Sequence, residues 1–332
     1  DLFLTSKMGE INRFRFAVPQ EVMDHLQSHK SEVDILPNRR FFLSYGKFPY
    51  EFELLDMQGF LRYASFFWLK GNPDTLRPML MRGEGVVVSE VFSNRTGLTV
   101  GDVFEAQIEE SSVKLPILGI VRDYRTQGGV VFYSMAHFNA QYHPSYVGGL
   151  RFFFKDRTQD IDKAVARLRN DIIDRMGDKV DMYSGKGLRG AVLRIFDETF
   201  AVTTVLLLIA LVIAALGIAT TLTVLVLERS RQLNTLFAVG ASFRQIRSMI
   251  FWEAAFLVVI GELAGIICGF MLSYLLVYVV NRQSFGWTFI YSVNWDALVL
   301  SIPLIIMTAL AAALPAVKMV FRKPPATLLR ER

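Results

Sequence analysis

The stretch Thr199-Phe-Ala-Val-Thr-Thr-Val-Leu-Leu-Leu-Ile-Ala-Leu-Val-Ile-Ala-Ala-Leu-Gly-Ile-Ala-Thr-Thr-Leu-Thr-Val-Leu-Val-Leu227 runs for 29 residues without a charge and then breaks into Glu228-Arg229-Ser230-Arg231. As a helix it covers about 43 Å, at roughly 1.5 Å per residue, whereas the hydrocarbon core of a bilayer needs only about 30 Å. It reads as a transmembrane span. Composition changes across it. Residues 1–198 carry ordinary mixed charge, and 199–321 are dominated by Leu, Ile, Val, Ala and Phe. This uneven distribution accounts for the 52% hydrophobic content and the mean hydropathy of +0.34. It divides the chain near Arg194–Glu198 into a polar domain and a membrane domain. About 190 residues suffice for one or two lobes with a core of their own.

Two further spans are legible, one within Ile246–Val280, interrupted by Glu253 and Glu262, and one at Ala297–Val317, containing Pro303 and Pro315. The loop 228–247 carries Arg229, Arg231, Arg244 and Arg247, and the tail carries Lys318, Arg322, Lys323, Arg330 and Arg332; the loop 281–296 has Arg282 alone. Basic residues collect on the cytoplasmic side, so the first loop and the tail face inward and three spans place residues 1–198 outside. Trp287 and Trp295 flank the outer loop and Trp252 marks the inner end of the second span, as interfacial aromatics do. Asp1-Leu2-Phe3-Leu4 reads as a strand rather than a signal peptide, so at least one transmembrane helix is expected ahead of Asp1 in the natural chain, the alternative being that the first span itself drives export of everything before it. The net charge of +5 sits mainly beside the spans, which speaks for a lipid bilayer and against nucleic acid. A single cysteine, Cys268, lies in an apolar run and excludes an intrachain disulfide.

The polar domain reads as α/β. Arg13–Val18 has the pattern of a strand, Pro19 stands at a helix start, and Val22, Met23 and Leu26 recur at helical spacing. Arg39–Tyr45 and Tyr50–Asp56 alternate around Gly46-Lys47-Phe48-Pro49 as a hairpin. Gly85–Val88 is a short strand, Ser89 caps the next helix and Gly97 ends it. Val103–Ile108 and Val113–Val121 pair, and a strand at Arg151–Lys155 leads to a helix over Asp160–Met176 closed by Gly177. Two lobes are expected, one from residues near 1–60 and 148–186 and one a β-rich insertion of about 65–147. Leu188–Phe196 carries an apolar stripe, so the first span is expected to begin early, as one helix from Leu188 to Glu228 about 61 Å long.

No catalytic constellation is visible. His25 and His29 stand four apart and share a helix face, but zinc needs a third ligand and no HExxH pattern is present, so a solvated face is the reading. His137 and His143 belong to no triad, and Asn94-Arg95-Thr96 is a glycosylation sequon of a kind common by chance. Gly185-Lys186-Gly187 lacks the upstream glycine and the following Ser or Thr of a phosphate loop. Glu262 lies about 15 Å deeper than Trp252 along the second span, near mid-bilayer, where an acid faces a bundle interior or water or bonds a hydroxyl such as Ser301 or Thr308. Glu253 is near the interface, within reach of water or Arg247. Between the first two spans, Arg231–Val239 forms a short amphipathic helix with Leu233, Leu236 and Phe237 on one side. Gly240 stops it, and Ser242 with Gln245 has the spacing of a capping box.

This loop, Glu228-Arg-Ser-Arg-Gln-Leu-Asn-Thr-Leu-Phe-Ala-Val-Gly-Ala-Ser-Phe-Arg-Gln-Ile246 followed by Glu253, resembles the FtsX-like, or MacB-like, permeases of ABC transporters (type VII membrane subunits). So do Ala313-Leu314-Pro315-Ala316 and Pro324-Pro325-Ala326-Thr327-Leu328-Leu329-Arg330 at the end. In the outer domain Val88-Ser89-Glu90, Leu98-Thr99-Val100-Gly101-Asp102 and Leu118-Gly119-Ile120-Val121 are similar to the family's pattern. The chain departs from it at Gln232, where the family has an acid, and at Phe237, where it has a basic residue.

The resemblance implies a three-span α-helical membrane domain with a short cytoplasmic coupling helix, carrying an N-terminal extracytoplasmic α/β domain of two lobes. Residues 1–187 form the outer domain and 188–332 the permease domain: stalk and first span 188–228, coupling helix 229–241, spans 246–280 and 297–317, tail 318–332. It implies a multi-pass subunit of the bacterial inner membrane with no ATPase site or cofactor of its own, ATP and Mg²⁺ being bound by a partner cytoplasmic ATPase. Arg231, Leu233, Leu236, Phe237, Gly240 and Arg244 would meet that ATPase, and Glu262 and Glu253 would be the intramembrane polar pair. Further implied partners are a second permease copy or homologous half and a periplasmic protein. The implied work is mechanical export or extraction of lipidic, lipoprotein or peptide cargo. The alternative is a non-transporting subunit that activates an extracytoplasmic hydrolase.

Overall fold

A computed structural model of the chain describes residues 1–7, 16–123, 126, 128–142, 146–156, 160–177, 179–229, 232, 235, 236 and 239–320. They form two compact units, Asp1–Leu193 with Tyr278–Phe289, and Arg194–Val277 with Ile290–Arg332.

The first unit is built on one ten-stranded sheet. Its strands are β1 (Leu2–Ser6), β2 (Val33–Tyr45), β3 (Phe48–Leu55), β4 (Phe67–Lys70), β5 (Val86–Ser89), β6 (Val103–Ile108), β7 (Ser111–Arg122), β8 (Val130–Ser134), β9 (Gly149–Phe154) and β10 (Val180–Ser184). Their order is β10-β1-β9-β2-β3-β8-β5-β7-β4, with β6 paired to β7. The helices of this unit are α1 (Gln20–Leu26), α2 (Met57–Tyr63), α3 (Pro73–Met81), α4 (Glu90–Thr96), α5 (Met135–Gln141) and α6 (Ile161–Met176). The hairpin around Gly46 and the β6–β7 pair follow the alternation in the sequence. Residues 65–147 supply β4 to β8, and these join the other five strands through the parallel β3–β8 pair. Of the strand expected at Arg13–Val18, residues 13–15 lie outside the described residues and 16–18 are not in a strand, the chain there leading into Pro19 and α1.

Side-chain alternation decides which face each helix covers. Val86 and Val88 of β5 and Val131 and Tyr133 of β8 enter an aromatic core with Phe52, Phe92, Phe104 and Phe138. Their neighbours Val87, Val130 and Phe132 enter a second core under α2 and α3. With both faces covered, β5 and β8 are buried at every residue and read as continuous apolar runs. In the other half of the sheet α1 and α6 cover one face, with Leu2, Leu4, Phe152 and Phe154 beneath them.

The second unit holds most of the long helices. α7 runs from Gly185 to Glu228 in 44 residues, beginning three residues before the expected Leu188 and following β10 directly. α8 covers Phe243–Leu275 and continues through a π-helical turn, Leu276–Val280, into α9 (Asn281–Phe285); α10 covers Trp295–Val320. Among the described residues, two helical stretches are long and apolar enough to cross a membrane, Phe200–Leu225 and Arg244–Phe285. The third expected span is helical, and its described apolar run, Leu298–Thr308, is shorter.

A buried charge cluster joins the middle strands of the sheet. Glu53 of β3 is fully buried and accepts from Arg151 Nη2 at 2.6 Å, Arg40 Nε at 3.2 Å and Asn38 Nδ2 at 3.3 Å. Removing one partner of a buried ion pair strands the other charge, so Glu53→Ala is expected to cost about 3–5 kcal/mol and to lower the thermal midpoint sharply. The exposed Arg62–Asp34 pair is the control, since Arg62→Ala should cost at most about 1 kcal/mol.

Candidate functional site

On the face of the sheet opposite α1 and α6 lies a cavity of about 590 Å³. Alternate residues of the same strands turn into it: Phe3 and Thr5 from β1 and Arg151 from β9, joined by Arg40 of β2, Phe60 of α2, Phe66, Phe132 and Arg122. Thr5 Oγ1 and Arg122 Nε are buried without a hydrogen-bond partner among the described residues. The walls are mainly aromatic, Arg40 and Arg151 are paired with Glu53, and Asp123 also lines the space. The roof helix α2 is fixed by Tyr63, whose ring stacks on Phe153 at 4.7 Å and whose hydroxyl donates to Asp34 Oδ2 at 2.6 Å.

A second feature of the first unit is a clasp between α4 and the segment after α9. Glu90, buried at the start of α4, accepts from the Thr288 amide at 3.1 Å and from the Thr288 hydroxyl at 2.7 Å. Asn94 Nδ2 donates to the Gly286 carbonyl at 2.8 Å, and Asn94 Oδ1 accepts from Arg282 Nη2 at 3.0 Å. Gly286 ends α9 with φ +81°, a turn that L side chains adopt only with strain. The Asn94 amide is therefore engaged in the clasp. The same holds at Gly185-Lys186-Gly187, where the Gly187 amide donates to Ser184 Oγ at 2.9 Å and Lys186 pairs with Asp162. That is a helix cap with a surface ion pair.

In the second unit Glu253 pairs with Arg229 at 3.2 Å, while Arg247, the partner suggested by proximity, lies over the Phe251 ring at 5.4 Å. Glu262 lines a groove of about 530 Å³ with Gly265, Gly269, Ser273, Tyr291 and Asn294. Ser301 and Thr308, its suggested hydroxyl partners, donate to carbonyls of their own helix, Leu298 and Leu304. Sequence reading passed over the strip Gly261, Gly265, Gly269, which is open on α8 and is marked by its spacing of four.

Arg231, Leu233 and Phe237 lie outside the described residues. Gln232, Thr235 and Leu236 are helical, and Leu236 is exposed. Beyond them Val239 N donates to Thr235 O at 3.0 Å and Ala241 N to Leu236 O at 2.9 Å, around Gly240 at φ +101°. The latter bond is the six-to-one closure that stops a helix at a left-handed glycine. Ser242 then opens α8 with a capping box, its amide donating to Gln245 Oε1 at 2.8 Å. Arg244 is exposed and borders a shallow basic recess with Arg247 and Trp252.

Residues 204–325 match the model of the FtsX-like permease C-terminal family. An uncharacterised ABC transporter permease of Mycobacterium tuberculosis is 29% identical over 249 residues, covering 72% of this chain and 28% of that protein. A macrolide export ATP-binding/permease protein MacB of Paracoccus denitrificans is 28% identical over 247 residues, covering 70% of this chain and 33% of that one. The chain thus spans a third or less of the length of these relatives. The periplasmic region of MacB from Actinobacillus actinomycetemcomitans is a slight structural likeness, with a TM-score of 0.37 and 11% identity over 57% of this chain and 91% of that one.

The Tyr63 contact gives a pH-dependent test. Its hydrogen bond holds the Asp34 carboxyl below the ordinary 3.8, against the opposing effect of burial and with help from Lys155 and Arg62. A lowered carboxylate pKa stabilises the fold above the unfolded value, and that contribution is lost as pH falls through the folded value. Tyr63→Phe should therefore lower the thermal midpoint at pH 7, by the equivalent of about 1 kcal/mol. Its deficit should shrink in acid below 3.8; a deficit independent of pH would contradict the assignment.

Proposed function

We propose, from the premise that residues 204–325 belong to the FtsX-like permease family, that this chain is the membrane subunit of an ATP-driven ABC transporter that works by mechanical transmission. ATP and Mg²⁺ are held by a separate cytoplasmic ATPase, and the chain is not itself an enzyme. It sits in the bacterial inner membrane with three spans within 188–332, the segment 229–241 and the tail inside, and the α/β domain outside. A second permease copy or homologous half completes the assembly. The open glycine strip of α8 supports this, because small residues let transmembrane helices approach closely.

One observation carries the mechanical reading: β10 passes into α7 with no intervening residue, Ser184 ending the strand and capping the helix. Motion delivered to Glu228 at the far end of α7 acts on an edge strand of the outer sheet without a loop to absorb it. Leu233, Leu236 and Phe237 form the apolar ridge that enters a groove on the ATPase, flanked by Arg231 and Arg244. The cap at Gly240 and the box at Ser242 support a rigid joint between that ridge and α8. The aromatic, arginine-bearing cavity supports an amphiphilic cargo, lipidic, lipoprotein or peptide. The likeness to a macrolide export protein agrees with export.

Phe237→Asp tests the partnership. A charge at the centre of that contact should cost at least about 2 kcal/mol, or about thirtyfold in affinity. The cytoplasmic ATPase that copurifies with the full-length protein in detergent should then be lost from the preparation. Undiminished copurification would contradict the role of the ridge.

A further inference from the structure

His25 stands in the last turn of α1 and His29 in the short 3₁₀ turn that follows, Gln27–His29. Val22 and Leu26 of α1 and Leu168 and Ile172 of α6 share one buried core. That packing brings Asp171, on the solvent-facing side of α6, against both imidazoles. Asp171 Oδ2 is 2.9 Å from His25 Nε2 and 3.4 Å from His29 Nε2, and the three donor atoms lie within 4.8 Å of one another. The side chains are 13%, 21% and 35% exposed, in the order His25, His29, Asp171, so the cluster is walled by protein and open on one side.

Ser28 fixes the protonation pattern. Its hydroxyl donates its one hydrogen to the His25 carbonyl at 2.8 Å. The 3.0 Å contact between Ser28 Oγ and His29 Nδ1 therefore has the ring N–H donating to the hydroxyl oxygen. In the neutral ring, His29 Nε2 is then left with a lone pair facing a carboxylate oxygen, a contact that a proton or a metal ion between the two satisfies. Arg175 Nε reaches the other oxygen, Oδ1, at 3.4 Å, leaving Oδ2 to the imidazoles.

We propose that His25, His29 and Asp171 form a divalent-metal site of the outer domain, suited to zinc, with its fourth position open to water or to a ligand from a partner. Two imidazoles and a carboxylate with an open position are a donor set that zinc takes, and donors about 2.0–2.1 Å from one tetrahedral ion stand about 3.4 Å apart. The Asp171–His29 separation of 3.4 Å matches that value, and the Asp171–His25 separation of 2.9 Å is shorter. Ser28 acts as the outer group that orients a ligating histidine and sets its tautomer.

The test uses the full chain in detergent, without a polyhistidine tag and with Cys268→Ser to remove the thiol. Zinc is titrated against a competing chelator, and Co²⁺ is substituted to read the geometry from its visible absorption. One zinc per chain and a tetrahedral cobalt spectrum are expected. Ser28→Ala, which removes no ligand, should weaken binding by about 10- to 100-fold; His29→Gln and Asp171→Asn should weaken it further, and His137→Gln should change nothing. Circular dichroism of each variant separates lost binding from lost folding. Absence of saturable zinc binding to the folded chain would overturn the proposal and leave the cluster as a proton-bridged pair. Undiminished binding by the folded His25→Gln/His29→Gln double variant would overturn it as well.

Discussion

The constraint on which the rest depends is the continuity of α7. Its 44 residues contain no proline, so no amide is missing from the ladder and no ring forces a kink. Ser184 fixes its start by capping the Gly187 amide. Near its end, Arg229 pairs with Glu253 of α8. Between these points the helix carries the apolar stretch Phe200–Leu225. The helix leaves the edge strand β10, whose register with β1 is set by five residue pairs from Leu2–Ser184 to Ser6–Val180.

The clasp at Glu90 is the second tie. A buried carboxylate is costly unless its hydrogen bonds are made, and here the amide and hydroxyl of Thr288 both donate to it. The segment after α8 is thereby part of the α/β unit rather than a free outer loop. The start of α7 and Gly286–Thr288 both belong to the α/β unit. The aromatic cavity lies between strands that belong to both halves of the sheet, so a change in the sheet's twist would alter its shape.

Features encoded locally were legible in the sequence. The apolar helical stretch Thr199–Leu227 declares itself by the absence of charge. The caps at Ser89 and Ser242 and the stop at Gly240 depend on residues within a few positions of one another, and the structure realises all three. What escaped were pairings between distant positions. Asp171 meets His25 across 146 residues and Thr288 meets Glu90 across 198, and neither partner carries a local signal of the other. Proximity along α8 suggested Arg247 for Glu253, but these lie six apart and project from different faces; Arg229, from the preceding helix, is the partner. The parallel β3–β8 pair that makes one sheet of the strands likewise leaves no mark on either strand beyond its apolar run.

The central claim, that α7 carries force to the outer domain, is tested most directly by inserting three glycines after Phe196. Three residues rotate everything beyond them by about 300° about the helix axis, and each glycine weakens the helix by about 1 kcal/mol. The insertion leaves the segment 229–241 untouched. Assembly with the ATPase and ATP hydrolysis should persist while export of cargo is lost. Export at the normal rate by the folded, assembled variant would contradict transmission through this helix.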